Sequence, residues 1–180
     1  MDKVAGSGND EFYTPKYAVE PLFKYISPQS VIWCPFDTEN SHFVRQFRAR
    51  GNKVIATHIE EGCDFFVYEP DEHYDYIVSN PPDSLKNEVF ERLFALKKKF
   101  AVLVGVVGIF ESQRRFNIFE SQRRFNLFKE NNFEVMYMNK RISYFKDFFD
   151  QKPSLNPPFS SVYIARGVFP DRIVFAEVNK

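Results

Sequence analysis

The stretch Tyr74-Asp75-Tyr76-Ile77-Val78-Ser79-Asn80-Pro81-Pro82 combines the residues of a β-strand with an abrupt stop. Its aromatic and β-branched residues favour a strand, and two successive prolines end the strand because neither has an N–H to donate to a neighbour. The following segment, 84–96, has apolar residues at helical spacing, namely Leu85, Val89, Leu93 and Leu96. The sequence therefore predicts a strand, a rigid stop and a helix in this order.

Strand-like and helix-like segments also alternate on both sides of this stretch. Upstream, Thr14 and Pro15 are expected to be the N-cap and first residue of a helix, and a later helix is expected to end at Gly51. Further strands are predicted at 31–33, 53–58, 100–107, 133–138, 161–166 and 172–178. Residues 140–159 show no clear periodicity and are predicted to be an irregular connection. The alternation indicates an α/β fold, with a parallel sheet covered by helices on both faces.

Length and composition indicate one globular domain. The chain has 180 residues, 44% of them hydrophobic and 27% charged. We expect a flexible segment at 1–11 and a single domain at 12–180. The longest apolar run, 100–110, is shorter than the ~20 residues of a membrane helix, and the polar start lacks the apolar region of a signal peptide. A cytoplasmic location is therefore expected.

Charge and metal-ligating residues give little indication of a partner. Lys plus Arg and Asp plus Glu are both 24, so any contact with nucleic acid must come from a local basic patch. The two cysteines cannot form a disulfide framework, and the three histidines are scattered. We therefore expect no metal site.

A nine-residue segment occurs twice in succession, at 109–117 and 118–126. Nine residues rotate a helix face by about 900°, so two copies in one straight helix cannot both face one core. The second copy continues into Leu127 and Phe128 and is expected to form the packed helix. We interpret the repeat as a tandem duplication.

The polar residues after three predicted strands suggest where chemistry occurs. Ligands of open α/β sheets bind beyond the carboxyl ends of the strands. Three such ends carry polar groups, at 34–40, 58–64 and 79–83, and we expect them to converge.

Asn80 is the most informative residue among them. An asparagine followed by two prolines presents its side-chain oxygen and a backbone carbonyl as fixed acceptors for one planar amino group. This arrangement suits alkylation of an exocyclic amine, because the acceptors orient the amine and stabilise its developing positive charge. The alternative is that the motif only ends a strand and caps a helix.

The motif resembles the signature of S-adenosylmethionine-dependent adenine-N6 amino-methyltransferases, which is Asp/Asn/Ser-Pro-Pro-aromatic at the end of the fourth strand. The resemblance extends from Phe12-Tyr13-Thr14-Pro15 to the closing strands, and it is strongest to short phage and prophage enzymes described as tRNA or DNA adenine-N6 methyltransferases. It implies a Rossmann-like methyltransferase fold, with a largely parallel seven-stranded sheet, an antiparallel last strand and helices on both faces.

The same resemblance implies roles for individual residues. Asn80 and the Pro81 carbonyl would hold the target amine, within a motif completed by Pro82 and Asp83. The residues that would bind the cofactor are Tyr13, Thr14 and Pro15 at its methionyl end, Glu60 at the ribose, and Asp64 with Phe65 at the adenine. The alternatives are that Thr14 is only an N-cap and that Glu60 is only solvated.

Two parts of the chain, the loop after the first strand and the residue after Pro82, depart from the family pattern. Cys34-Pro35-Phe36 replaces the usual Asp-Pro-Phe of the cofactor loop, and Thr38-Glu39-Asn40 replaces its glycines, so Asp37 is the candidate for the missing carboxylate. Asp83 occupies the position of the aromatic that stacks on the target base. A second Asn-Pro-Pro-Phe at 156–159 is interpreted as a loop.

The connection 140–159 supplies candidates for target binding. Phe159, Tyr144 and Phe145 are candidates for stacking on the base, and Lys140 and Arg141 are candidates for phosphate contacts. The alternative is that the aromatic residues anchor the connection onto the core.

The expected function is methyl transfer from S-adenosylmethionine to the N6 amino group of adenine in tRNA or DNA. A single-stranded or loop adenine is the easier substrate because it need not be flipped out of a duplex. Two alternatives remain: a binding module with a methyltransferase fold that has lost catalysis, and a methyltransferase acting on a protein glutamine amide.

Overall fold

The computed structural model describes residues 13–107, 109, 118–145, 153–155 and 159–180, without the side chains of 118–121 and 153–155. Its α-helices are α1 Lys16–Val19, α2 His42–Ala49, α3 Lys86–Ala95 and α4 Ile118–Glu130. Single 3-10 turns are Glu20–Lys24, Ile59–Glu61 and Asp83–Leu85. The strands are β1 Val31–Cys34, β2 Lys53–Ala56, β3 Tyr76–Ser79, β4 Lys99–Gly105, β5 Glu134–Met138, β6 Tyr144–Phe145, β7 Pro153–Leu155, β8 Ser161–Arg166 and β9 Ile173–Ala176.

Seven strands form one sheet in the order β2-β1-β3-β4-β8-β5-β9. β8 pairs antiparallel with β4 and β5, and the other neighbouring strands are parallel. The predicted fold class, a largely parallel seven-stranded sheet with helices on both faces, is confirmed. The predicted antiparallel orientation of the last strand is wrong, because the antiparallel strand is β8 and the last strand, β9, is an edge strand parallel to β5.

Each face of the sheet is covered by helices that bury an apolar stripe. α1 and α2 pack on one face through residues such as Val19 and Phe43, and α3 and α4 pack on the other through residues such as Phe90 and Phe128. β4 contributes to both cores, because successive side chains of a strand point to opposite faces. Its continuous apolar run is explained by this double burial.

Several predicted details differ from the structure. Pro15, and not Thr14, is the N-cap of α1, so the predicted cap is wrong by one residue. Part of the predicted irregular connection forms a small sheet, in which β6 pairs antiparallel with β7. The second copy of the repeat begins α4 as predicted. Most of the first copy, the segment 1–11 and the second Asn-Pro-Pro lie outside the described residues.

Candidate active site

The carboxyl ends of four parallel strands lie along one edge of the sheet. β1, β2, β3 and β4 end there, and β8 begins there because Ser161 pairs with Gly105. The loops that follow these strands hold most of the candidate residues. The expected convergence of the three polar strand ends at one edge is therefore confirmed by the topology.

Asn80 directly follows Ser79, the last residue of β3. It is partly buried, Pro81 is buried, and Pro82 is the extended N-cap of the turn Asp83–Leu85. This turn leads into α3. The fixed φ of the two prolines leaves few ways to reorient the chain between the strand and the helix.

Asp83 forms an ion pair with Lys86, a buried residue of α3. The Lys86 Nζ lies 2.9 Å from Asp83 Oδ1 and donates to the carbonyl oxygens of Gly105 and Val107 at 3.3 Å each. The Lys86 side chain is only 7% exposed, so its charge needs a nearby carboxylate. Sequence reasoning missed Lys86 as the partner of Asp83. The signal that could have shown it is the i, i+3 spacing of the two residues at the start of a helix.

Asp37, in the loop after β1, is buried, and both of its carboxylate oxygens accept hydrogen bonds. The Ser41 hydroxyl donates to Oδ1 and the Ser79 hydroxyl donates to Oδ2. Burial raises the pKa of Asp37 from 3.8 to about 6, against the opposing effects of the two serine hydrogen bonds and of His58. Sequence reasoning identified Asp37 and included Ser79 in a polar strand end, but it missed Ser41 and the contact between Asp37 and Ser79.

The first candidate cofactor residues lie at the start of α1. Thr14 and Pro15 are buried, and Tyr13 exchanges backbone hydrogen bonds with Phe145. The Thr14 Oγ1 is buried and makes no hydrogen bond to any residue that the structure describes. Because a buried hydroxyl is normally paired, this atom fits a polar group of a bound molecule.

Aromatic side chains form an apolar wall beside the loop after β2. The rings of Phe36 and Phe65 are 4.8 Å apart, and Phe65 also packs against Trp33. The Asp64 Oδ1 accepts a hydrogen bond of 2.9 Å from the Phe66 N–H, so this carboxylate also stabilises its own turn.

The remaining candidates for cofactor binding differ in exposure. The Glu60 side chain is 71% exposed and its Oε2 lies 3.5 Å from His58 Nδ1. Cys34 and Pro35 are buried. Burial and the charge of Asp37 both raise the pKa of the Cys34 thiol, so the thiol stays protonated. Cys34 thus presents no charge where the family pattern has a carboxylate.

The candidate target-binding residues occupy different environments. The Phe159 ring lies directly on Gly105, where a Cβ would be 2.7 Å from Phe159 Cε2. Tyr144 is buried, with its hydroxyl 2.7 Å from Ser161 Oγ, an arrangement that favours the anchoring alternative for this residue. Lys140 and Arg141 follow β5 and are exposed.

The described part of the chain contains neither a cluster of metal-ligating side chains nor a membrane-spanning helix. No three or more His, Cys, Asp or Glu side chains there are grouped so that they could hold a metal ion. No helix there is both long enough and apolar enough to cross a membrane.

No protein-family model matches the sequence, and no curated protein matches it. Among solved structures, the fold is similar to the methyltransferase subunit of a type I restriction-modification system from Streptococcus thermophilus. The TM-score is 0.53 at 12% identity, covering 93% of this chain and 47% of that chain. A protein-(glutamine-N5) methyltransferase (release factor-specific) from Alicyclobacillus acidocaldarius has a TM-score of 0.42 at 18% identity, covering 84% of this chain and 93% of that one. The chain spans about half the length of the first structure, and it has the Rossmann-like fold of methyltransferases.

Proposed function

We propose that this chain transfers a methyl group from S-adenosylmethionine to the N6 amino group of adenine in DNA or tRNA. The observation that carries the proposal is the position of Asn80-Pro81-Pro82. This motif follows β3 at the carboxyl edge of a methyltransferase fold, where the Asp37 carboxylate in the loop after β1 accepts a hydrogen bond from Ser79, the residue directly before the motif. Ligands bind at this edge in open α/β sheets.

Asn80 and Pro81 supply the groups that act on the amine. The Asn80 side-chain oxygen and the Pro81 carbonyl accept hydrogen bonds from the two N–H groups of the target. They hold the nitrogen in one orientation and stabilise the positive charge that develops as it is alkylated. The proton that the nitrogen then loses can pass to water, so a strong base is not needed.

The residues at the carboxyl edge fit the cofactor. The buried hydroxyl of Thr14 has no hydrogen-bond partner among the described residues and can take a polar group at the methionyl end, next to Tyr13 and Pro15. Phe36 is partly exposed and packs against the buried ring of Phe65, so Phe36 can take the apolar face of the adenine with Phe65 supporting it from behind. The carboxylates of Glu60 and Asp64 can accept from ribose hydroxyls and from the adenine amino group. When bound, S-adenosylmethionine supplies an electrophilic methyl group on a positively charged sulfur.

Phe159 is the residue we assign to base stacking. Position 83 is occupied by a carboxylate paired with Lys86, so another residue must supply the aromatic ring that stacks on the target base. Phe159 is partly buried on Gly105, at the end of the strand that neighbours β3. Lys140 and Arg141 are assigned to phosphate contacts because both are exposed at the same edge of the sheet.

The test is transfer of labelled methyl groups from S-adenosylmethionine. Single-stranded DNA, duplex DNA, tRNA and a protein mixture are incubated separately with the chain, and labelled nucleosides are identified after digestion. We expect N6-methyladenosine or its deoxy form. Label in protein instead would support the glutamine alternative, and no saturable cofactor binding at millimolar concentration would support the binding-module alternative.

Asn80→Ala provides the residue-level test. Because it removes an acceptor at the reacting nitrogen, we expect about 100-fold or greater loss of transfer with cofactor affinity unchanged. Asn132→Ala, an exposed asparagine preceding β5 at the opposite edge, is the matched control and should retain full transfer. Equal activity of the two variants would refute the role of Asn80.

A further inference from the structure

Asp37 connects two parts of the candidate active site that are far apart in sequence. One carboxylate oxygen accepts from Ser41, in the loop after β1, and the other accepts from Ser79, the last residue of β3. Ser79 is followed directly by Asn80. We propose that Asp37 is a positioning residue, which holds Ser79 and thereby fixes the orientation of Asn80 for methyl transfer. This inference rests on the proposed function.

The link to Asn80 is short and stiff. Ser79 is fully buried and belongs to β3, so its hydroxyl is presented at a fixed place. Pro81 and Pro82 restrict the backbone on the other side of Asn80. A change in the position of Ser79 therefore changes the position of Asn80. In a loop without such restraints, the backbone between the two residues would adjust instead.

Ser41 fixes the other side of the link. Its hydroxyl donates to Asp37, and its Oγ accepts a hydrogen bond of 3.2 Å from the Phe43 N–H as the N-cap of α2. Asp37 is thus held to the start of a helix that packs on the sheet. The carboxylate can act as a fixed support for Ser79.

The geometry makes the support depend on ionisation. Ionised, Asp37 accepts from both hydroxyls, whereas protonated it has a hydrogen of its own to donate and one serine must reorient. The pKa of about 6 places this change within reach of ordinary buffers. Among the described residues, the titratable groups that interact electrostatically with Asp37 are His58 after β2, Cys34 at the end of β1 and Tyr163 on β8. Burial raises the pKa of Cys34 and of Tyr163, so both stay neutral through this pH range.

The experiment measures kcat for methyl transfer between pH 5 and 8.5 with saturating S-adenosylmethionine. The kcat of the wild type should fall as the pH is lowered, with a midpoint near pH 6. We call this decrease the acid limb of the pH profile. Ser79→Ala and Asp37→Asn should each lower kcat about 10- to 100-fold at pH 8 and abolish this acid limb, because each breaks the link. The double variant should be no worse than either single variant. An unchanged acid limb in Ser79→Ala, or additive losses, would overturn the proposal.

Ser41→Ala is the matched control, because it removes the other hydrogen bond to the same carboxylate. The link to Ser79 remains, so the acid limb should persist. Its midpoint should rise above 6, because the lost hydrogen bond lowers the pKa of Asp37 in the wild type. Loss of the limb in this variant would contradict a path through Ser79.

A second measurement is independent of activity. The side-chain amide signals of Asn80 in an NMR spectrum should shift with a midpoint near pH 6 in the wild type and stay constant in Ser79→Ala. This result would support the link even if no methyl transfer is found, in which case only the proposed function fails. Asn80 signals that do not titrate in the wild type would overturn the inference.

Discussion

β1 and β3 are joined at both ends by an aspartate, and the two aspartates have opposite properties. At the amino end, Asp75 precedes β3 and its Oδ2 accepts a hydrogen bond of 2.8 Å from the Val31 N–H, which lowers the pKa of Asp75. At the carboxyl end, Asp37 follows β1 and accepts from Ser79, but burial raises its pKa to about 6. The Asp75 side chain is 39% exposed, whereas Asp37 is buried.

The difference separates a stabilising contact from one that opposes stability. A lowered pKa means that the folded chain favours the charged carboxylate, and a raised pKa means that folding disfavours it. The amino end of this strand pair therefore contributes to stability. The carboxyl end holds a charge at a cost in stability, which is typical of a site arranged for function.

The largest expected effect on stability concerns Asp37→Asn. Because its folded pKa is above the ordinary value of 3.8, ionised Asp37 lowers stability as the pH rises from 3.8 through about 6. A tenfold change in an acid constant is about 1.4 kcal/mol, so the variant should be up to about 3 kcal/mol more stable at pH 8. Urea unfolding at pH 8 and pH 4.5 measures this difference, which should shrink at the lower pH.

The contrary outcome for Asp37→Asn is a variant less stable than wild type at pH 8. It would mean that the hydrogen bonds from Ser41 and Ser79 outweigh the cost of burying the charge. Asp37 would then stabilise the carboxyl end of the strand pair, as Asp75 stabilises the amino end. If Asp37→Asn instead loses methyl transfer and gains stability, the ionised carboxylate at the carboxyl end supports activity while it lowers the free energy of unfolding.

A smaller effect is expected at the amino end, where Asn52 supports the sheet. Its Nδ2 donates to the carbonyl oxygens of Ser27 and Ser30 at 2.8 and 2.9 Å. Asn52→Ala should lower the free energy of unfolding by about 2 kcal/mol because two partly buried carbonyls lose a donor. Methyl transfer by the folded variant should be unchanged.

Asn132→Ala, which changes an exposed asparagine before β5, is the control for this measurement and should alter stability little. A loss of kcat in Asn52→Ala at a temperature where the variant is folded would show that the amino end also takes part in function. The assignment of the two ends to stability and activity would then be wrong.

Local sequence patterns predicted the elements around the candidate site well. The prolines after Ser79 stop β3, and the apolar spacing of Val89 and Leu93 forms the buried face of α3, because both signals act over a few residues. The buried run of β4 was equally clear. These features depend on chain chemistry and on periodicity, which a sequence displays directly.

Contacts between distant segments were not predictable in the same way. Asp37 and Ser79 become neighbours only because β1 pairs with β3, an order that residue patterns do not specify. The placement of Phe159 on Gly105 likewise depends on the pairing of β8 with β4. A sequence shows which groups lie at strand ends, while the sheet order decides which of them meet.

The smallest expected effect concerns Asp75→Ala, and its pH dependence is opposite to that of Asp37. The variant loses the acceptor for the Val31 N–H, so it should be about 1 kcal/mol less stable at pH 7. Solvent screening keeps the effect small because Asp75 is partly exposed. Its lowered pKa means that the stabilisation is present above 3.8 and is lost as the pH falls through the folded pKa. Urea unfolding between pH 3 and 7 should therefore show the wild type approaching the variant at the acid end. Parallel curves would show that the charge of Asp75 contributes nothing.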